Sequence, residues 1–533
     1  MPDEESRHFK VQCLNGRHQR KCGGHKRESS VALPGEISHL AIQHPGEDEG
    51  GAEGCPWMGA NSDPQDQRLL ELVVESCNMK LAWKRIRGNK GSEGVDGSRT
   101  IEDTGLFLRS EWPRIRQSLL DETYQPYPVR RVEIPKPGGG VRKLGIPTVL
   151  DRLIQQAICQ ILNPIFDPGF SDSSYGFRPG RNAHDAVRKA REYQQEGKQW
   201  VVDLDLKQFF YEVNHDVLMS RLGRKVKDKR LKRLINGYLK SGVMLFSEGL
   251  KATEKGTPQG GPLSPLLSNI LLDDLDKELE RRGHSFCRYA DDCNIYVQTR
   301  IAGERVMRSI TEYFEETLKL KVNHEKSALA RPWKRKFLGF SFLKVFGVIM
   351  ETLPAVTVKR FRSSLKMLFH EGRGRNVARF IRERLNPALR GWFQYFSAGI
   401  SWKLITTLDF WIRRRLRCMI WRQWKRPGTR MWRLIGLGIS QGKARFALNH
   451  KGPWWNSGTP VLTQAFSPSF FQSLELFNFA DNLRLKQKTF DYCAFIFQRV
   501  KTRSPESSNW RLRFSVSKPA KNPNWPVPGM YSG

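Results

Sequence analysis

The sequence has no run of about 20 apolar residues, the length a membrane-spanning helix needs, so no membrane partner is expected. It also lacks paired cysteines. Nine Cys are scattered along the chain without a Cys-x2-Cys spacing, and Cys13, Cys22 and His25 come nearest to a metal cluster. That pattern argues against a disulfide framework or zinc module and for a reduced intracellular protein. The opening Met1-Pro2-Asp3-Glu4-Glu5 has neither the charge nor the apolar stretch of a signal peptide, so a cytoplasmic location is expected. The most telling shortage is of acid. Asp and Glu number 54 against 89 Lys and Arg, a formal charge of +35, and none falls between Trp411 and Lys451. A surface so unbalanced predicts a polyanionic partner, most simply nucleic acid.

What the chain does contain is a pair of adjacent acids in an apolar setting. Asp291 and Asp292 sit inside Phe286–Val297, which reads as strand, tight turn and strand. Adjacent acids among apolar residues repel each other and resist burial, and a bound cation is the usual remedy; a solvated Asp-Asp turn is the bland alternative. A second set lies in Trp200-Val201-Val202-Asp203-Leu204-Asp205-Leu206, where alternation puts Asp203 and Asp205 on one face of a strand that leads into a helix. If the two strands are neighbours in one antiparallel sheet, three carboxylates converge. Such a set would hold two Mg²⁺ ions about 3.5–4 Å apart, the arrangement for in-line phosphoryl transfer, and all-oxygen ligands suit Mg²⁺.

The 533 residues allow about two to four domains. Residues 1–62 mix Gly, Glu, His, Arg and Ser without periodicity and read as a disordered extension. From Asp66 the spacing is helical, with Leu69, Leu70, Val73, Val74 and Cys77 on one face. Lys84, Arg85 and Lys90 then lead into a basic loop through Gly91 and Gly94-Val95-Asp96-Gly97, either a phosphate cradle or an ordinary surface turn. Residues 129–146 predict a hairpin with Lys136, Arg142 and Lys143 at its tip, a candidate clamp for a triphosphate. Thr148 and Asp151 look like a capping pair opening a helix whose buried stripe is Ile154, Ala157, Ile158 and Ile161. Thr257-Pro258-Gln259-Gly260-Gly261-Pro262 is a rigid loop before an apolar helix, and its glycines permit close approach of a backbone or a base pair. Phe337–Phe342 reads as an apolar strand. Beyond residue 355 basic, aromatic-rich helices dominate. Arg413, Arg414, Arg417, Arg422, Lys425 and Arg426 lie among Trp411, Trp421, Trp424 and Trp432, a composition suited to pairing with phosphates while the rings pack or stack. The pattern fades after residue 478, and Ser504–Gly533 reads as disordered.

The order of these motifs resembles the group II intron-encoded reverse transcriptase/maturase family. Tyr289-Ala290-Asp291-Asp292 matches its YxDD box and Pro258-Gln259-Gly260 its PQG loop. Leu81–Gly97 looks like its extra N-terminal motif and Leu338-Gly339-Phe340 like its last palm strand. Leu385–Phe396 and Trp421–Trp455 look like its thumb (X) and DNA-binding parts. The resemblance covers about residues 66–478 and implies an α+β right-hand polymerase. Its fingers and palm with an antiparallel sheet would span 63–350, its helical thumb 351–408 and its basic nucleic-acid-binding region 409–478; the tail 479–533 matches nothing.

The resemblance further implies an RNA-directed DNA polymerase that binds its group II intron RNA and assists splicing and retromobility by target-primed cDNA synthesis. Intron RNA, an RNA template–DNA primer duplex, dNTPs and target DNA are the partners it implies. Asp205 becomes the first catalytic carboxylate, since Phe210 then falls five residues later, where the family places the aromatic that senses the sugar 2′ position; Asp203 is the runner-up. With Asp291 and Asp292 it would bind the metals. Lys136 and Arg142 match triphosphate contacts, Gln259 and Gly260 would line the nascent base pair, Tyr289 would contact dNTP or template, and Lys326 matches a Lys proposed in polymerases as an acid to pyrophosphate.

Two departures stand out. Phe209-Phe210-Tyr211 replaces a frequent Phe-Phe-Asp, and no His-Asn-His nuclease with paired Cys follows the basic region, so second-strand target cleavage is not expected. Two other functions compete: a splicing maturase with an idle polymerase, and a reverse transcriptase recruited to host defence. The sequence leaves the oligomeric state open, a dimer included.

Overall fold

The computed structural model describes residues 68–89, 91–96, 100–135, 140–245, 249–251, 255–258, 260–448 and 452–486. The readings made for 1–62 and for Ser504–Gly533 lie outside these residues. No described helix is long and apolar enough to cross a membrane. The chain forms two units, one of residues up to Ala186 with Val202–Leu329, the other of Val187–Val201 with residues from Ala330 on.

In the first unit the helical opening is broken in two. Leu69–Val73 and α1 (Ser76–Asn89) are separated at Val74–Glu75, and Leu69, Leu70, Val73 and Val74 are buried while Cys77 is only half-buried. Next comes the expected hairpin, β1 (Val129–Pro135) antiparallel to β2 (Val141–Ile146). β1 also pairs in parallel with β4 (Val243–Leu245), which pairs with β5 (Gly249–Lys251), giving a sheet of order β2-β1-β4-β5. α2 (Val149–Phe166) opens at Thr148, whose hydroxyl accepts the Asp151 N–H at 3.1 Å, and Ile154, Ala157, Ile158 and Ile161 are all buried. The capping pair and the stripe are therefore as the spacing predicts.

A second sheet carries the acids. Its order is β6-β7-β3-β8, from β3 (Trp200–Leu204), β6 (Ser285–Tyr289), β7 (Asp292–Val297) and β8 (Ala328–Ala330), so the strand of Asp203 and the doublet hairpin are neighbours. α3 (Ser264–Arg281) precedes β6 and buries Leu266, Leu267, Ile270, Leu271 and Leu275; α4 (Arg300–Glu316) follows β7 and buries Val306, Ile310 and Phe314.

The second unit starts with an unexpected turn. Phe337 and Phe340 exchange backbone hydrogen bonds of 2.9 Å while Leu338 and Gly339 sit at φ 52° and 86°, so the predicted strand Phe337–Phe342 is a tight turn followed by β9 (Ser341–Val345). Both rings are buried by that turn, which explains why the run is apolar. β9 pairs with β10 (Val348–Thr352), and this hairpin is tied to 187–201: Gln195 donates to the Gly347 carbonyl at 3.2 Å and accepts the Ile349 N–H at 2.9 Å. By packing, the second unit takes up the chain after Leu329. Of the helices that follow, α5 (Ala355–Glu371) stacks Phe361 on Trp392 with centroids 4.1 Å apart. α6 (Trp402–Gln423) runs unbroken across the 408–409 division that the resemblance implies.

Candidate active site

β3 ends at Leu204, and that ending separates its two acids. Asp203 is 9% exposed within the strand, whereas the Asp205 side chain, one residue past it, is 42% exposed. The loop 323–327 fixes Asp205 from several sides. Its N–H donates to Ser327 Oγ at 3.0 Å, and its carbonyl accepts the Asn323 N–H at 2.8 Å. The Asn323 amide donates to Asp205 Oδ2 at 3.0 Å, and Lys326 Nζ lies 3.6 Å from the same oxygen. Asp205, not Asp203, is therefore available to a ligand, and Lys326 is its immediate neighbour.

The doublet lies on a two-residue turn. Tyr289 pairs with Asp292 across β6 and β7, leaving Ala290 and Asp291 as the connection, with Ala290 at φ 58°. A positive φ at the first connecting position suits the twist of a two-residue hairpin but is unfavourable for any residue with a Cβ. Burial pushes the Asp291 carboxyl above the usual carboxylate range, and the charge of Asp205 adds to this while Arg142 and Arg288 oppose it. The strand that leads to Asp205 and the doublet hairpin are neighbours in one sheet, and Asp205 and, from β2, Arg142 both bear on the Asp291 carboxyl. Among the described residues no three His, Cys, Asp or Glu side chains are gathered into a ready-made metal cage. An open oxygen set of this kind fits Mg²⁺, which usually takes one or two carboxylates and completes its shell with water and substrate phosphates.

The Gly-rich loop closes another side. Thr257 donates to the Phe210 carbonyl at 2.7 Å and Gly256 to the Val213 carbonyl at 2.8 Å. A Cβ on Gly260, at φ 138°, would lie 2.7 Å from the Gly145 carbonyl of β2. Phe210 packs edge-on against Phe209 at 5.2 Å, and the Tyr211 hydroxyl donates to the Lys143 carbonyl. Phe210, Gly260 and the β2 strand of Arg142 are thereby brought together, and Tyr289 lies half-buried with its ring 6.2 Å from Phe177. Lys136, Gln259 and Lys90 lie outside the described residues.

Sequence reasoning missed Gly176 and the partners of Arg288. A Cβ on Gly176 would fall 2.4 Å from Ala290 N, so only glycine lets this segment pass behind the turn. The signal was a Gly in Tyr175-Gly176-Phe177, which carries no spacing clue of its own.

Among the basic residues, Lys84 and Arg85 are exposed on α1, but the loop after them has a structural role. Arg152 Nη2 donates to the Ser92 carbonyl at 2.6 Å, and a Cβ on Gly94 would meet Thr148 Cα at 2.6 Å. These glycines serve packing on the start of α2.

In the second unit a cleft of about 830 Å³ is lined by Lys366, His370, Arg373, Arg415, Arg422 and Trp454, among others, and by no carboxylate. Burial and the charges of Arg422, Arg373 and Arg414 hold Arg415 below the usual guanidinium range. Arg414 and Arg415 lie over the Trp454 ring at 4.2 and 4.6 Å. Arg422, Lys425 and Arg426 are exposed, and Arg413 and Arg414 half-buried. Arg417, expected among the nucleic-acid contacts, is instead buried. It is 2% exposed, donates to the Ser457 carbonyl at 2.8 Å, and is lowered to about 10 by burial and by Arg413 and Arg414. It packs the unit and cannot reach a phosphate. Trp421 is likewise core, while Trp432 and Trp455 are exposed.

That difference predicts two separable variants. Arg417→Ala lowers unfolding stability by about 1–3 kcal/mol through the lost hydrogen bond and packing, with the salt slope of RNA binding unchanged. Arg422→Ala leaves stability within about 0.5 kcal/mol and reduces that slope by about one. Denaturant melts and a salt titration of RNA binding read both.

Comparison with known proteins decides the family. Residues 134–342 match the family described as reverse transcriptase (RNA-dependent DNA polymerase), and residues 358–435 match the group II intron, maturase-specific domain. Protein YkfC of Escherichia coli (strain K12) is 32% identical over 362 residues, covering 58% of this chain and 93% of that one. The chain belongs to the group II intron-encoded reverse transcriptase/maturase family. The group II intron-encoded protein LtrA of Lactococcus lactis subsp. cremoris is 40% identical over 222 residues, 41% of this chain, and the match spans about a third (36%) of LtrA. A chain of the partial Cas6-RT-Cas1--Cas2 complex is 25% identical over 47% of this chain and 43% of that one, with a TM-score of 0.32, too low to carry weight. This reverse transcriptase is thus an RNA-directed DNA polymerase with a right-hand fold, a maturase domain and nucleic-acid partners, and its family uses Mg²⁺.

Proposed function

We propose that this reverse transcriptase copies RNA into DNA at Asp205, Asp291 and Asp292, and that its second unit grips group II intron RNA to assist splicing and retromobility. The observation that supports the site most is geometric: the β6-β7 hairpin that carries Asp291 and Asp292 lies beside β3, which ends one residue before Asp205. The three carboxylates would hold two Mg²⁺ ions. Bound there, Mg²⁺ lowers the pKa of the primer 3′-hydroxyl and neutralises the triphosphate and departing pyrophosphate.

The protein's own groups do the rest. Arg142, with Lys136, neutralises and orients the triphosphate of the incoming dNTP. Gly260 and Gln259 border the nascent base pair, where a side chain at 260 would close the approach, and Tyr289 contacts dNTP or template. To Phe210 falls the sensing of the sugar 2′ position, the role that the family resemblance gives it. Lys326 Nζ, beside Asp205, is placed to give a proton to pyrophosphate.

In the second unit, the acid-free cleft offers an RNA backbone cationic partners that no protein carboxylate competes for. Residues 351–408 act as thumb and 409–478 as the basic intron- and target-binding region, with Lys84 and Arg85 on α1 adding basic contacts of their own. Template–primer duplex, intron RNA and target DNA are the partners of this activity.

The test is primer extension on an RNA template, with RNA binding followed in parallel across salt. Extension that requires RNA template, dNTPs and Mg²⁺, with binding that falls steeply with salt, supports the reading. Binding that is flat with salt contradicts the basic grip.

A further inference from the structure

Arg288 is fully buried, and each of its five guanidinium N–H groups has an acceptor. Nε donates to Asp276 Oδ1 at 2.7 Å and Nη2 to Asp276 Oδ2 at 2.5 Å. Nη2 also donates to Ser174 Oγ at 2.7 Å. Nη1 donates to Asn269 Oδ1 at 2.9 Å and to the carbonyl of Ala290 at 3.0 Å. That last contact is the one that matters. Ala290 is the residue held at φ 58° in the turn that presents Asp291 and Asp292. The planar fork of an arginine reaches both sides at once in fixed geometry, which a lysine cannot.

The remaining partners brace the same turn. Asn269 and Asp276 are seven apart on α3, hence on one face. Asn269 also donates to the Gly176 carbonyl at 2.8 Å, and Gly176 is the residue pressed against Ala290 N. The Arg288 backbone is fastened to the same segment, donating to the Ser173 carbonyl and accepting from Tyr175 N–H, both at 2.9 Å.

We propose that Arg288 is a positioning residue for catalysis: with Asp276, Asn269 and Ser174 it locks the left-handed Ala290 turn so that Asp291 and Asp292 present their carboxylates in a fixed geometry. The proposal rests on the carboxylate assignment made above. A buried ion pair serving the core alone is the competing role, and such a pair can be replaced by apolar residues without loss. Positioning, in contrast, is lost whenever the Ala290 carbonyl loses its donor.

The test compares Arg288→Lys, which keeps the charge opposite Asp276 but not the fork, with Arg288→Met/Asp276→Leu, which removes both charges together. For each, folded fraction, Mn²⁺ binding to the nucleic-acid-free protein, and kcat and KM for dNTP are measured. Folded protein with kcat reduced about tenfold or more, KM within about twofold, and weaker Mn²⁺ binding is expected, because small misplacements of reacting groups cost rate out of proportion to binding. Adding Ala290→Gly, which relieves the unfavourable φ, should recover at least part of kcat and of Mn²⁺ affinity in the Arg288→Lys background. Wild-type kcat and Mn²⁺ affinity in either folded variant overturns the proposal, as does a loss matched by the fall in folded fraction with no recovery from glycine. Asp291→Asn, run alongside, separates the two claims. Unchanged Mn²⁺ binding there refutes the carboxylate assignment, whereas weakened binding there with wild-type behaviour in the Arg288 variants refutes the positioning role alone.

Discussion

Asp291→Asn abolishes cDNA synthesis while leaving the protein at least as stable as wild type in the absence of divalent cation. The loss should be about a thousandfold or more, since a metal site supplies several kcal/mol of charge stabilisation and each 1.36 kcal/mol is tenfold. Stability moves the other way because the fold disfavours this carboxylate's charge. Burial and Asp205 raise its pKa in the folded state above the unfolded value, so its charged form weakens the fold above the folded pKa. As pH falls through that folded pKa the wild-type group takes up its proton and the cost disappears. The stability difference between Asn and Asp is therefore largest near neutral pH and closes in acid. Thermal melts at two pH values beside a primer-extension assay check both halves; a variant that is inactive only because it is unfolded contradicts the assignment.

Gly176→Ala lowers polymerase activity by about a hundredfold by displacing the turn that carries the carboxylates. The added Cβ meets Ala290 N at 2.4 Å and the Tyr289 carbonyl carbon at 3.0 Å, both backbone atoms that cannot swing aside. The turn must shift, and a displacement of about 1 Å at a reacting centre costs about that factor. Overpacking adds about 1–3 kcal/mol of destabilisation. Gly223→Ala is the matched control. Its Cβ meets nothing within 4 Å, and it sits in a helix, where alanine is favoured over glycine by about 0.5–1 kcal/mol. Equal activity in the two variants would contradict the role given to Gly176.

The parts legible in sequence were those written locally. The strand–turn–strand around Asp291, the hairpin 129–146 and the Thr148 cap each depend on residues a few positions apart, and each stands in the structure. Alternation left Asp203 and Asp205 equivalent; where β3 ends is what separates them, and no local signal marks that end. The apolar run Phe337–Phe342 suited a strand as well as a tight turn, because burial of two rings makes the same demand on composition in both. Arg417 was indistinguishable from its exposed neighbours, since its burial comes from Ser457, 40 positions away. The Arg288 brace lay further out of reach. Ser174 is 114 residues upstream, and nothing in Ser173-Ser174-Tyr175 points to a guanidinium. Local pattern thus displayed the groups that would meet metal and substrate, while the contacts that hold them in place are set by tertiary packing.

The most direct measurement is primer extension on an RNA template with Mg²⁺, wild type beside Asp291→Ala/Asp292→Ala, with intron RNA binding measured on both proteins. Wild type should make cDNA, the double variant none, and the two should bind intron RNA equally, because the carboxylates serve the chemistry and the basic unit the grip. Full cDNA synthesis by the double variant would contradict the site.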